Sequence, residues 1–429
     1  MNNSYRRLVE DSSRTAIHRL PDELLAEIFQ SGNIDTVDGG PDIAYLSTII
    51  SVCSVWRNAA VSAPTLWTNI FYSSIPDLRF EEYLYILSAF LDRSKNADID
   101  ITLRLDGESV ARARRIQQVV YPHLHRCRSL WLIITDSRVK ELYLPLRGTL
   151  TALRNLHISY RDHDGGTSVQ LFDTADLIPL QELSLVGVMP TSFEDVPEIA
   201  LSAIRFIDLP ARRLLDVMNF VQRCSALTEL VLLERAPWAR QHRDLPTFAL
   251  PNLTFIEVVD DLPMHFRRFI AAPRLAEVII YGIGIELEDP RPVEQGPSPL
   301  ERVTLKYFYP LNAHSLCAFF ISHPNLNVLT VVQCHDHGLI PAILLGLEPH
   351  DMAVGEPLLP HLEKLTFCLS YQTQAQRLAD WFRQLLDQRQ NLHISCDRRG
   401  LQSPPSEYDD MLLKYGGRFT EVPDATAKW

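Results

Sequence analysis

Leu150-Thr151-Ala152-Leu153-Arg154-Asn155-Leu156-His157-Ile158 decides the fold, because its apolar spacing returns along the chain. The same pattern recurs at Leu177-Leu180-Leu183-Leu185, Leu201-Ile204-Ile207-Leu209, Leu227-Leu230-Leu232 and Leu250-Leu253-Ile256-Val258. It continues at Leu275-Val278-Ile280, Leu300-Val303-Leu305, Leu326-Leu329-Val331 and Leu359-Leu362-Leu365-Phe367, and Cys127-Leu130-Leu132 precedes the series, making ten copies. The second-last anchor of each falls at 130, 156, 183, 207, 230, 256, 278, 303, 329 and 365, with intervals of 26, 27, 24, 23, 26, 22, 25, 26 and 36 residues. A unit of that length holds one short strand and a return segment. Neither can bury its apolar face alone, so neighbouring units must stack and their strands form a parallel sheet.

Helical spacing fills several return segments: Leu214 to Cys224, Leu316 to Phe320, and Leu378 to Leu386. Two intervals break the rhythm, the Pro/Gly/Glu-rich 284–299 and the long gap at 333–358, and both read as loops. The tail from about 400, with Pro404, Pro405, Gly416 and Gly417, reads as a loose cap.

The N-terminal part has a different period. In Arg19-Leu20-Pro21-Asp22-Glu23-Leu24-Leu25-Ala26-Glu27-Ile28-Phe29, Pro21 suits a first helical turn and the two acids suit its positive end. Leu24, Leu25, Ile28 and Phe29 then form one apolar stripe that has to be covered. After a loop with Gly32, Gly39, Gly40 and Pro41, Leu46, Ile49, Ile50, Cys53, Trp56 and Ala60 continue at helical spacing and stop before Pro64. Leu66 and Trp67 follow as packing anchors.

The order Leu20-Pro21, Leu24-Leu25, Ile28-Phe29, Val52-Cys53, Trp56-Arg57, Pro64 and Leu66-Trp67 resembles the F-box, in the F-box-like form abundant in fungi, and the period of the later repeats is that of leucine-rich repeats. The resemblance implies an α/β fold: a three-helix F-box at 14–72, a helical linker at 73–98, a leucine-rich-repeat solenoid at 99–400 with a curved parallel sheet and helices on its convex side, and a cap or tail at 401–429. It implies a substrate-recognition subunit of a Skp-cullin-F-box ubiquitin ligase, binding a Skp-type adaptor and through it a cullin. Leu20, Pro21, Leu24, Ile28, Val52 and Trp56 would face the adaptor or support that face. The Asn that many leucine-rich repeats carry after the strand is missing, with Val188 and Leu233 near that slot, so the repeats are degenerate. Two other readings of the helical part stay open: a cap sealing the first repeat, or part of a scaffold with no link to ubiquitin.

Alternation along each strand puts one residue pair on the open face. These pairs are Asn155/His157, Glu182/Ser184, Phe206/Asp208, Glu229/Val231, Phe255/Glu257, Glu277/Ile279, Arg302/Thr304, Val328/Thr330 and Lys364/Thr366. Glu182, Asp208, Glu229, Glu257 and Glu277, with Phe255 among them, predict a carboxylate strip about 19 Å long at ~4.8 Å per strand, read either as fitting a basic, partly apolar target segment or as the solvated charged face of an acidic protein.

Composition narrows the class. The chain has 429 residues, 46% hydrophobic and 22% charged, with 41 basic against 53 acidic side chains and a net charge of −12. A net-acidic chain repels phosphate backbones, so nucleic acid is not an expected partner. No apolar run approaches a membrane span and the polar opening carries no signal-peptide core, so cytoplasm or nucleus is expected and a membrane is not. Seven scattered cysteines form neither a disulfide framework nor a zinc ribbon. Cys334-His335-Asp336-His337, with His314, Cys317 and His323 nearby, matches no structural zinc spacing, and no nucleotide or hydrolase motif occurs. No cofactor, metal or catalytic residue is expected.

Overall fold

The computed structural model describes residues 20–32, 40–73, 80–144, 146, 150–160, 167–169, 180–190, 204–208, 214–232, 247–259, 270–281, 299–307, 319–332, 359–368, 375–396 and 405–421. The protein is α/β with parallel sheets. It divides into two compact units, Met1–Ala203 and Ile204–Trp429.

The first unit opens with three helices, α1 (Asp22–Gly32), α2 (Ile43–Val52) and α3 (Ser54–Ser62). The apolar run from Leu46 to Ala60 is two helices, because Cys53 between them is fully extended at φ −159°, ψ 172°. Its Sγ caps α3 by accepting from the Trp56 amide at 3.5 Å, and Arg57 Nε donates to the Ile50 carbonyl freed by the break. A 3-10 turn at Pro64–Trp67 leads into β1 (Asn69–Ser73), followed by α4 (Phe80–Arg93), β2 (Ile99–Leu105), α5 (Val110–Val120), β3 (Cys127–Ile134), α6 (Ser137–Tyr143), β4 (Asn155–Tyr160), β5 (Thr167–Val169), β6 (Glu182–Val186) and β7 (Val188–Pro190). β1, β2, β3, β4 and β6 pair parallel in that order, and β5 and β7 form a separate parallel pair.

The second unit contains β8 (Phe206–Asp208), α7 (Leu214–Arg223), β9 (Glu229–Leu232), β10 (Phe248–Ala249), β11 (Phe255–Val259), β12 (Ile270–Ala271), β13 (Glu277–Tyr281), β14 (Arg302–Lys306), β15 (Val328–Val332), β16 (Lys364–Cys368), α8 (Ala375–Gln388), β17 (His393–Cys396), α9 (Pro405–Tyr415) and β18 (Phe419–Glu421). β8, β9, β11, β13, β14, β15, β16, β17 and β18 pair parallel in chain order, with β10 and β12 paired apart.

All ten anchors lie on strands and are buried. Leu130, Leu156 and Leu183 stand in register in the first unit, and Ile207, Leu230, Ile256, Val278, Val303, Leu329 and Leu365 in the second. Most anchors sit inside a repeated hydrogen-bonding frame. Before the strand, the amide of the fourth residue closes on the carbonyl of the first, as in Leu153 on Leu150, Leu253 on Leu250 and Leu362 on Leu359, each at 3.2 Å. At the strand start one carbonyl accepts two successive amides of the next unit: Thr228 from Thr254 and Phe255, Thr254 from Ala276 and Glu277, Glu301 from Asn327 and Val328.

The ridge extends past the repeats legible in the sequence. Ile70 and Ile101 stand in register with Leu130, and Ile394 and Phe419 continue it from Leu365. Two expected boundaries therefore change. Residues 69–73 belong to the sheet, since their side chains alternate into its core, and the expected loose tail contains α9 and an in-register strand; the helical linker expected at 73–98 contains α4, packed under β1. The span 99–400 also crosses the division between the units. The loops at 284–299 and 333–358 lie outside the described residues, apart from Pro299 at the first one's edge.

Arg126 ties the first unit together. It is 5% exposed and donates to Ser94 Oγ at 2.9 Å and to the Ala97 and Leu91 carbonyls at 2.8 Å, joining the end of α4 to the start of β3. Arg126→Met removes all three bonds, leaving Leu91 with its bond from Ser94 Oγ at 2.8 Å, and is expected to lower stability by about 1–3 kcal/mol. Arg128→Met removes only a solvent-facing pair with Asp100 and should cost less than ~1 kcal/mol. Urea denaturation of both variants checks the contrast.

Candidate functional site

Two surfaces carry the residues singled out in the sequence. The first is the helical module. Its apolar stripe splits in two: Leu25 and Phe29 are 0% and 1% exposed, whereas Leu24 and Ile28 are 44% and 49% exposed. The expected covering reaches only the first pair, since α3 and the 3-10 turn pack on that side of α1. Phe29 meets Trp56 with ring centroids 5.0 Å apart. Trp56 thus supports the module from within, and its buried indole Nε1 has no acceptor among the described residues. Leu20 is half-buried; Pro21 is exposed and its carbonyl accepts the Leu25 amide. Val52 is 54% exposed, and Val55, which the sequence reading passed over, is 39% exposed. Leu24, Ile28, Val52 and Val55 make up four of the eleven exposed large apolar or aromatic side chains among the described residues, so the module holds a disproportionate share.

The module is anchored on the far side. Trp67 Nε1 donates to the Ala60 carbonyl at 2.8 Å, its ring meets Phe90 edge-on at 5.0 Å, and Arg93 lies 4.4 Å over it. A Cβ on Gly40 would sit 2.8 Å from the Phe71 ring of β1, so that approach requires glycine.

The second surface is the strand face opposite the anchors, described for each unit separately. In the first unit, Glu182 is exposed and accepts from Asn155 Nδ2 at 2.7 Å. In the next row Trp131 is 45% exposed and stacks on its in-register neighbour His157 at 4.4 Å; His157 is among the predicted open-face residues and Trp131 is not, although the strand alternation that includes Leu130 and Leu132 reaches it.

In the second unit, Glu229, Phe255, Glu277, Arg302, Val328 and Lys364 form one row, and Val231, Glu257, Ile279, Thr304, Thr330 and Thr366 form the next. In the second unit the carboxylates expected as one strip stand in two rows of the same strand face. Asp208 and Glu257 belong to one row and Glu229 and Glu277 to the other, so along either row an apolar residue separates the acids. Ser184, Val231 and Ile279 are buried, leaving those positions closed. The charges are also partly cancelled. Glu277 accepts from Arg302 Nε at 2.9 Å, and Glu257 accepts from Tyr281 Oη at 2.5 Å with Lys306 Nζ 3.7 Å away. Glu229 is exposed and Phe255 half-buried; the side chains of Phe206 and Asp208 lie outside the described residues.

No cluster of three or more metal-ligating side chains occurs among the described residues, and 314, 317 and 334–337 lie outside them. Cys127, Cys224, Cys368 and Cys396 are buried. No helix among the described residues is long and apolar enough to cross a membrane.

Truncating Leu25 to Ala is expected to cost about 2–5 kcal/mol of stability, and Leu24→Ala less than ~0.5 kcal/mol, read from thermal unfolding. Burial holds the His157 imidazole below its ordinary value of 6.5. The unfolded chain therefore binds this proton more readily, and the His157 contribution turns unfavourable as pH falls through 6.5. Histidine resonances followed by NMR should place His157 below 6.5. Compared with wild type, His157→Gln should lose less stability between pH 7 and 5. No protein-family model matches the chain, and no curated protein matches it.

Proposed function

We propose that the chain is the substrate-recognition subunit of a Skp-cullin-F-box ubiquitin ligase, with the 20–67 helices docking on a Skp-type adaptor and leucine-rich repeats presenting a strand face to a target protein. It performs no catalysis itself; its role is to hold the target near the ubiquitin-transferring machinery. One observation carries the reading. The side of α1 and the α2–α3 junction that the F-box resemblance assigns to the adaptor leaves Leu24, Ile28 and Val52 in solvent, while the opposite side is locked by Leu25, Phe29 and Trp67. A small module that buries one apolar face and leaves another open is built for a partner. In-register parallel strands at a 22 to 27 residue spacing over most of the repeat region support the leucine-rich-repeat half.

A second reading draws on the packing of Trp67, Phe90 and Gly40 against the first strand: the helices act only as a cap on a binding scaffold. Adaptor capture separates the two. Leu24→Glu with Ile28→Glu should leave the circular dichroism spectrum unchanged and weaken capture of a purified Skp-type adaptor by about 30-fold or more, the scale of losing one buried hot spot. A folded wild-type chain that captures no adaptor is a capped scaffold.

A further inference from the structure

The second unit's strand face carries an ordered row whose side chains come from six neighbouring strands: Glu229, Phe255, Glu277, Arg302, Val328 and Lys364. Register puts them side by side, one per strand. The central pair closes on itself, Arg302 Nε lying 2.9 Å from Glu277 Oε2. In the adjoining rows Glu257, Tyr281 and Lys306 close another network, with Lys306 Nζ 2.7 Å from Tyr281 Oη. Glu229 and Lys364 are exposed, and neither has an oppositely charged group within ion-pair distance among the described residues. From Glu229 to Lys364 the row therefore reads acid, aromatic, neutral pair, aliphatic, base, with the two open charges at opposite ends of this stretch and Phe206 and His393 continuing the row beyond them.

We propose that this row receives an extended segment of the target protein that is itself dipolar, with a Lys or Arg at the end over Glu229, an Asp or Glu at the end over Lys364, and apolar side chains between them against Phe255 and Val328. This refines the target side of the function proposed above and replaces the uniformly basic segment that the acidic residues suggest when read singly. Five inter-strand steps of ~4.8 Å give about 24 Å, which an extended chain covers in about eight residues. The closed Glu277–Arg302 pair offers no net charge to the middle of such a segment. A wholly basic segment would meet Lys364, and a wholly acidic one Glu229, with like charges opposed.

The test uses the full chain and three fluorescent eight-residue peptides. Each has Leu at its second and seventh positions and Ser and Gly between; the end residues are one Lys and one Glu, two Lys, or two Glu. The wild type is expected to bind the mixed peptide about five-fold more tightly than either of the others, the upper range of one exposed ion pair, and the preference should shrink as salt rises. Glu229→Lys should move the preference to the two-Glu peptide, and Lys364→Glu to the two-Lys peptide. Equal binding of all three peptides by wild type, or a preference unchanged in both folded variants, overturns the assignment. The same preparations are assayed for adaptor capture. Capture without peptide preference removes this inference alone, and peptide preference without capture removes the ligase reading alone.

Discussion

Within each unit, every strand that carries an anchor depends on a neighbour for both its hydrogen bonds and its core. The shared carbonyls at the strand starts, such as Ala276 accepting from Glu301 and Arg302 at 2.9 Å, join each unit to the next before side chains meet. They fix the register, and the register lines up the buried ridge. A slip of one residue would turn that ridge to the opposite face and expose an aliphatic side chain from every strand. Burying one such side chain contributes about 1.5–3 kcal/mol, so slippage is opposed along the whole sheet. The two bonds made by each shared carbonyl leave no room for an independent strand, and stability is a property of neighbouring units together.

That same register orders the strand face opposite the ridge. Residues far apart in the chain, such as Glu277 and Arg302, become neighbours because their strands pair in chain order. Charge on the face is consequently arranged by row. Closed pairs in the centre reduce the field there, and the open charges at Glu229 and Lys364 give the row a direction. The threonines of the adjoining row, Thr304, Thr330 and Thr366, sit between its apolar edge and the Lys364 end without adding charge.

The helical module solves a different problem. Roughly fifty residues bury too little apolar surface to stand alone, so Trp67 is set into α4 and Gly40 lets the chain lie against β1. With that side held by the sheet, Leu24 and Ile28 can stay in solvent without costing the module its fold. The break at Cys53 turns α3 away from α2 and leaves Val52 and Val55 exposed on either side of the hinge.

The sequence by itself determined the repeat. Ten anchors, eight of their nine intervals between 22 and 27 residues, all fall on buried strand positions, because only an apolar residue at that spacing can face a shared core. The α1 start was equally plain in Pro21, Asp22 and Glu23. What it left illegible follows from physics that spacing does not contain. The outer strands at Asn69, Ile99, His393 and Phe419 are not legible by the repeat because the Leu-x-x-Leu approach is weakened or missing there, although Ile99, Ile101, Leu103 and Leu105 alternate as a strand does. The continuous helical spacing from Leu46 to Ala60 concealed the extended Cys53. The stripe on α1 gave no sign that only half would be covered, since a neighbouring element decides which half. The carboxylates were countable in sequence, but their division between two rows and their pairing with Arg302, Lys306 and Tyr281 belong to cross-strand register. Periodicity says which side of a strand faces inward, and only the tertiary structure says which residues stand beside one another on the side facing out.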